Sequence, residues 1–207
     1  MKQKIDVRAE HFDAVHTAVE NRELDKIPVV RVVKNEKIEK WDENTYAKVN
    51  GVSFHNGVIE VKMLSRLLPD APDYARGFIG IVYRANEADC EFESFYIRPA
   101  NGRDCKEPMR KAHGCQYFSY PGYTFEYFRE FGIGDYEAPV DIALDEWITL
   151  KAVIENEQAR FYINGREQPV LVVKDMKHGR GRHGSLGIFV DDGTEAFISE
   201  LNVECID

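Results

Sequence analysis

Apolar residues in this chain recur mainly at every second position or in short β-branched runs, and Gly, Pro, Asn and Asp punctuate the intervals. That pattern predicts strands. Residues 27–33, Ile-Pro-Val-Val-Arg-Val-Val, form the first dense run, followed by a charged, wet turn over 34–40. Further strands are predicted over 57–63, 78–84, 91–98 and 116–120. The second half continues with 140–144, 147–154, 159–163, 170–173, 186–190 and 196–203. Helical stretches are scarce. The segment 11–23 differs, because Phe12, Val15 and Val19 are spaced for one face of a short helix or for an irregular turn.

The clearest local signal is a hairpin. Ile148, Leu150, Ala152 and Ile154 fall on one face of a strand, and Phe161 and Ile163 can cover an opposing core face after a turn at 155–158. Asn164-Gly165 then supplies a second tight turn. A succession of strands without crossover helices disfavours a parallel α/β fold and favours two stacked antiparallel sheets. No linker, repeat or low-complexity tail interrupts the pattern. The expected organisation is therefore one all-β sandwich domain over 1–207, with 1–50 contributing an N-terminal strand and a less regular extension.

Composition narrows the functional classes. With 43% hydrophobic and 30% charged residues among 207, the chain can bury a core and is not disordered throughout. Thirty-six acidic against 27 basic residues leave a formal charge of −9, which argues against nucleic acid and anionic membrane as partners. The opening Met1-Lys2-Gln3-Lys4-Ile5-Asp6 has no apolar signal-peptide core, and no segment has the length of a membrane span. The chain reads as cytoplasmic. Cys90, Cys105, Cys115 and Cys205 form no CxxC unit and are expected as thiols.

Candidate chemistry gathers between residues 89 and 123. Asp89, Glu91 and Glu93 have two-residue spacing, and Glu91 and Glu93 are candidate catalytic carboxylates for glycosidic cleavage, beside the alternative of a surface ion-pair role. In an extended 91–98, Glu91, Glu93, Phe95 and Ile97 point one way, and Phe92, Ser94, Tyr96 and Arg98 the other. Arg110, His113, Gln116 and Tyr117 combine hydroxyl-binding groups with a ring for a sugar's apolar face, and Arg98, Arg103 and Arg110 add local positive charge for an acidic or phosphorylated sugar.

Other segments offer less. Asp191-Asp192-Gly193-Thr194-Glu195 presents oxygen ligands but is no EF-hand, and 177–184 lacks a complete phosphate-loop pattern. No metal and no cofactor is expected. GxSxG and HExxH are absent, and the closeness of Cys115 to His113 does not by itself make a nucleophilic pair.

Phe95-Tyr96-Ile97-Arg98-Pro99-Ala100-Asn101-Gly102-Arg103, the region 110–117, and 147–165 followed by 184–203 carry a family resemblance. Over 54–203 the chain resembles the concanavalin A-like lectin/glucanase superfamily, especially bacterial laminin-G-like or 3-keto-disaccharide-hydrolase-like domains. The resemblance implies a jelly-roll β-sandwich whose concave sheet binds a mono- or oligosaccharide, with some relatives cleaving it. The Glu-x-Asp-x-Glu pattern of some related glucanases is replaced here by Asp89-x-Glu91-x-Glu93, so catalytic roles do not transfer. Tyr96, Arg98, Arg103, Arg110, His113, Gln116 and Tyr117 are the expected substrate-binding residues. The alternatives are a glycoside hydrolase with paired carboxylates and a structural or protein-interaction sandwich.

Overall fold

A computed structural model describes residues 2–35, 38 and 40–206. Its strands are β1 (Lys2–Ile5), β2 (Phe12–Val15), β3 (Thr17–Leu24), β4 (Ile27–Lys34), β5 (Tyr46–Val49), β6 (Gly57–Leu67), β7 (Ile79–Ala85), β8 (Phe92–Ile97), β9 (Cys115–Tyr120), β10 (Glu137–Ala138), β11 (Ile148–Glu155), β12 (Gln158–Ile163), β13 (Leu171–Val173), β14 (Ser185–Val190) and β15 (Thr194–Cys205). Two short helices, α1 (Pro108–Lys111) and α2 (Phe125–Glu130), lie in connections. One sheet has the order β13-β12-β11-β6-β15-β4-β3, with β1 also on β15, and the other has β10-β9-β8-β7-β14-β5-β2. Every pairing is antiparallel.

The two sheets bury themselves differently. In the eight-stranded sheet, β11 alternates strictly: Ile148, Leu150, Ala152 and Ile154 are buried, while Lys151 and Glu155 are exposed. The hairpin forms as expected, with Glu155 opposite Gln158 and left-handed φ values at Asn156, Asn164 and Gly165. The sheets meet through side chains such as Phe95 and Phe161, whose rings stack 4.0 Å apart. Burying such a ring contributes about 1.5–3 kcal/mol.

In the seven-stranded sheet, β7 and β8 are buried at every position. Phe95 and Ile97 join the core between the sheets, whereas Phe92 and Tyr96 join a second cluster on the outer face with Tyr46, Val82, Phe118 and Phe189. The alternation expected for 91–98 thus holds, but both faces are covered. Gly187 makes room for this outer layer, because a Cβ there would come within 2.3 Å of the Tyr46 ring.

Two expectations are corrected. Segment 11–23 is neither helix nor irregular turn: β2 pairs with β5 in one sheet and β3 with β4 in the other. The chain changes sheets at His16, whose φ is 49°, so the helix-like spacing of Phe12, Val15 and Val19 comes from two strands read across a corner. Residues 2–49 accordingly supply five strands rather than one. Residues 140–144 belong to no strand, although Val140 and Ile142 are buried. The Ile142 carbonyl accepts from Arg103 N (2.7 Å), and Pro139 cannot donate to a ladder, so alternation here records burial without pairing. Part of the turn expected over 34–40, at Glu36, Lys37 and Glu39, lies outside the described residues. No disulfide forms among the described residues.

Candidate functional site

At the end of β8 the chain delivers Arg98 into a dense polar cluster. Its Nη2 donates to the Tyr96 hydroxyl (2.8 Å) and to Gln116 Oε1 (3.0 Å), and its Nη1 to Glu137 Oε1 (2.8 Å) and the His113 carbonyl (3.2 Å). Strand register explains the convergence: Tyr96 and Arg98 share a face, and Gln116 lies directly opposite Tyr96. Asn101, in the 3-10 turn Pro99–Asn101, braces the His113 carbonyl from the other side (3.1 Å). Glu137 also accepts from Arg129 (2.9 Å), and His113 Nδ1 approaches it to 2.9 Å. Burial pushes the Glu137 carboxyl up, but Arg129 and Arg98 outweigh that and hold it below the usual range.

Beside this cluster lies Asp42, only 1% exposed and at a left-handed φ of 50°. Its N–H donates to Asp191 Oδ2 (2.8 Å), its Oδ2 accepts from Phe125 N (3.0 Å), and its Oδ1 is buried without a partner. Burial and the Asp191 charge raise its pKa to about 7 against the opposing pull of the Phe125 N–H, Arg98 and Tyr96. Near neutral pH this carboxyl is divided between acid and carboxylate. Asp191 is itself pushed up by burial, although Lys34 opposes it at 2.6 Å. Lys34 Nζ also reaches Asp192 (2.7 Å), so an ammonium sits among the oxygen ligands that the 191–195 segment presents.

Of these groups, Asp42, Tyr96, Arg98, Asn101 and Asp191 form the buried floor of a cavity of about 530 Å³. Trp41, Tyr74 and Phe125 form an aromatic wall: Trp41 lies 5.9 Å from Tyr74 edge to face and 6.0 Å from Phe125. Arg76, Arg110, Arg129 and His113 line it with positive or titratable groups, and Glu126 is a further lining carboxylate. Such a site can stack a ring against the aromatic wall and hydrogen-bond it from below.

Of the residues singled out from sequence, Tyr96, Arg98, Arg110 and His113 line the cavity. Gln116 stands behind it, fully buried, orienting Arg98. Tyr117 faces the space between the sheets, donating to Glu93 Oε2 (2.6 Å) and accepting from Lys177 N (2.8 Å). Glu93 is fully buried there and also accepts from His178 N (2.9 Å), and Glu91 pairs with Arg182 at the surface. Neither carboxylate lines the cavity. Arg103 binds Asp141 (2.9 Å) and Glu146 (3.1 Å) on a separate surface. Loop 177–184 is tied down through Lys177 to Asp175, His178 to the Tyr120 carbonyl and Arg180 to Glu157. Burial pushes the Cys115 thiol up to about 12, far from a nucleophilic thiolate.

Sequence reasoning missed Trp41, Asp42, Tyr74, Arg76, Phe125 and Arg129, and it read Asp191 only as a turn oxygen. The one available signal was large aromatic residues within polar connections, as at Trp41-Asp42 and Tyr123-Thr124-Phe125.

No family model and no curated protein matches the sequence. Solved structures do match in fold. A protein of Parabacteroides distasonis ATCC 8503, provisionally designated a glycosyl hydrolase, aligns over 100% of both chains at 12% identity with a TM-score of 0.58. A Bacillus subtilis protein of unknown function with a galectin-like fold aligns over 95% of this chain and 90% of its own, at 11% identity and a TM-score of 0.56. Carbohydrate-binding module CBM66 from Bacillus subtilis aligns over 91% and 96%, at 12% identity and a TM-score of 0.52. The fold is therefore an all-β jelly-roll sandwich of the concanavalin A-like and galectin-like kind.

Proposed function

We propose that this protein binds carbohydrate in the cavity between the Trp41, Tyr74 and Phe125 rings and the Asp42, Tyr96 and Arg98 floor. The carrying observation is that exposed aromatic faces and deeply buried polar groups line one cavity of about 530 Å³, within the size range of small-ligand sites. A sugar residue has the same duality. Its C–H face packs on a ring, while its hydroxyls take hydrogen bonds from guanidinium and carboxyl groups of fixed geometry. A fold shared with a module named for carbohydrate binding supports the reading.

Titration calorimetry against a panel of mono- and oligosaccharides tests it. Saturable binding is expected, weakened at least about tenfold by Trp41→Ala, a loss of roughly 1.4 kcal/mol, with an unchanged melting temperature. Sugar binding indifferent to both Trp41→Ala and Phe125→Ala would move the site elsewhere, and no binding to any glycan would sink the reading.

Asp42 supports a second reading, glycosidic hydrolysis. A buried carboxyl in the lining of the cavity whose pKa is raised to about 7 has the properties of a general acid. Glu126 is the lining carboxylate outside the Asp42, Asp191 and Lys34 cluster, and would serve as the opposing base or nucleophile. Product analysis on the same panel separates the two readings: turnover abolished by Asp42→Asn with binding retained marks hydrolysis, and binding without products marks a lectin-like module.

A further inference from the structure

We propose that the sugar recognised in this cavity is acidic, a uronic acid residue whose carboxylate is seated on the guanidinium of Arg76. The inference rests on the carbohydrate reading and names its ligand class.

Arginines lining the cavity are matched with carboxylates in all cases but one. Arg98 and Arg129 share Glu137, and Arg110 pairs with Glu107 at 3.0 Å. Arg76 has no carboxylate within ion-pairing distance among the described residues. Its hydrogen bonds go to the carbonyls of Asp73 (2.7 Å) and Ala75 (2.6 Å), and both leave from Nη1. That arrangement fixes the plane of the guanidinium while its Nε–H and Nη2–H remain unused. Those two form the parallel fork that accepts a carboxylate in bidentate fashion.

The surroundings favour an anion as well. Arg76 is half-buried, and burial together with the like charge of Arg110 disfavours its cationic form. In a chain of formal charge −9, an arginine held beside another arginine without its own counter-ion is a local exception. A bound carboxylate would neutralise it and occupy its free donors. The aromatic wall and the Asp42, Tyr96 and Arg98 floor would take the rest of the ring. A carboxylate suits this site better than a phosphate because one fork is free, whereas the other guanidiniums are already engaged.

The test uses the full chain and compares di- and trisaccharides of galacturonic, glucuronic and mannuronic acid with their neutral hexose counterparts and with hexose 6-phosphates. At least one uronate is expected to bind about tenfold or more tightly than its neutral counterpart, with affinity falling as salt is raised. Arg76→Gln is expected to abolish that preference, lowering uronate affinity about tenfold more than neutral-sugar affinity. Arg76→Lys keeps the charge without the fork and should restore only part of it. Trp41→Ala should weaken both classes alike. Neutral sugars binding as tightly as uronates, an undiminished preference in Arg76→Gln, or a tighter 6-phosphate would each overturn the uronate assignment and leave the carbohydrate reading standing. Absence of binding to every sugar would overturn both.

Discussion

Two buried arginines stand at opposite ends of the antiparallel pair β7 and β8, and they do different work. Arg84 lies at a bulge where Tyr83 and Arg84 together oppose Leu186, with φ at 56°. Its guanidinium donates to the carbonyls of His55 (2.8 Å), Gly179 (3.1 Å) and Asn156 (2.7 Å) and to Asn56 Oδ1 (3.0 Å). All four acceptors are neutral, and Arg84 clamps three loops. Arg98 is buried too but meets a carboxylate, a phenol, an amide and a carbonyl, and both it and its buried neighbour Asp42 line a cavity. Burial of charge therefore does not distinguish a site from a staple. Position does: Arg98 and the raised carboxyl of Asp42 line a cavity, and Arg84 does not.

The comparison is broken most severely at the clamp. Arg84→Met removes all four hydrogen bonds of one buried guanidinium, which should destabilise the fold by about 3–5 kcal/mol in urea unfolding. Sugar binding by the remaining folded fraction should be unchanged. A loss below about 1 kcal/mol would show that water replaces the guanidinium and that the clamp is dispensable.

At the other end, Glu137→Gln removes the carboxylate shared by Arg98, Arg129 and His113, with an expected loss of about 3 kcal/mol. Because the Glu137 carboxyl is held below its usual range, its contribution is present above the ordinary carboxylate pKa and is lost as pH falls through the depressed value. Wild type and variant should therefore converge at low pH, and a gap independent of pH would contradict the ion-pair account. Here sugar affinity should fall too, in contrast to Arg84→Met.

Asp42→Asn should act in the opposite direction. The folded protein holds the Asp42 proton up to about pH 7, so this group's contribution to stability is greatest below the unfolded carboxylate pKa and is lost as pH rises through 7. The variant should be more stable than wild type at pH 8 by about 2 kcal/mol, with the advantage shrinking as the pH is lowered toward 4. Equal stability at pH 8 would mean that Asp42 ionises without penalty.

The smallest effect is expected at Glu91, whose ion pair with Arg182 is solvent-exposed. Glu91→Gln should leave the urea-unfolding midpoint, sugar binding and any turnover unchanged. Lost turnover with intact folding would return catalysis to this strand.

Legibility followed the range of the interactions involved. The 148–165 hairpin and the two-sided division of 91–98 could be read directly, since both rest on period-two alternation and turn residues close in sequence. The N-terminal corner at His16 could not, because neighbours in sequence there belong to different sheets. Among site residues, Tyr96, Arg98, Arg110 and His113 were visible within one polar, aromatic-rich stretch. Tyr117 and Gln116 looked equivalent to them, yet the strand points Tyr117 into the core between the sheets and places Gln116 behind Arg98.

By itself, the sequence determined an all-β chain, the main strands and the hairpin turns, because alternation and left-handed turn residues act locally. Tertiary structure alone decided the site. Trp41 and Asp42, Tyr74 and Arg76, Tyr96 and Arg98, Phe125, and Asp191 come from five separated stretches and meet only when antiparallel pairing and the covering loops bring them over one end of the seven-stranded sheet. The environment that divides Asp42 between acid and carboxylate near neutral pH is made of burial and of charges distant in sequence, which no local pattern records.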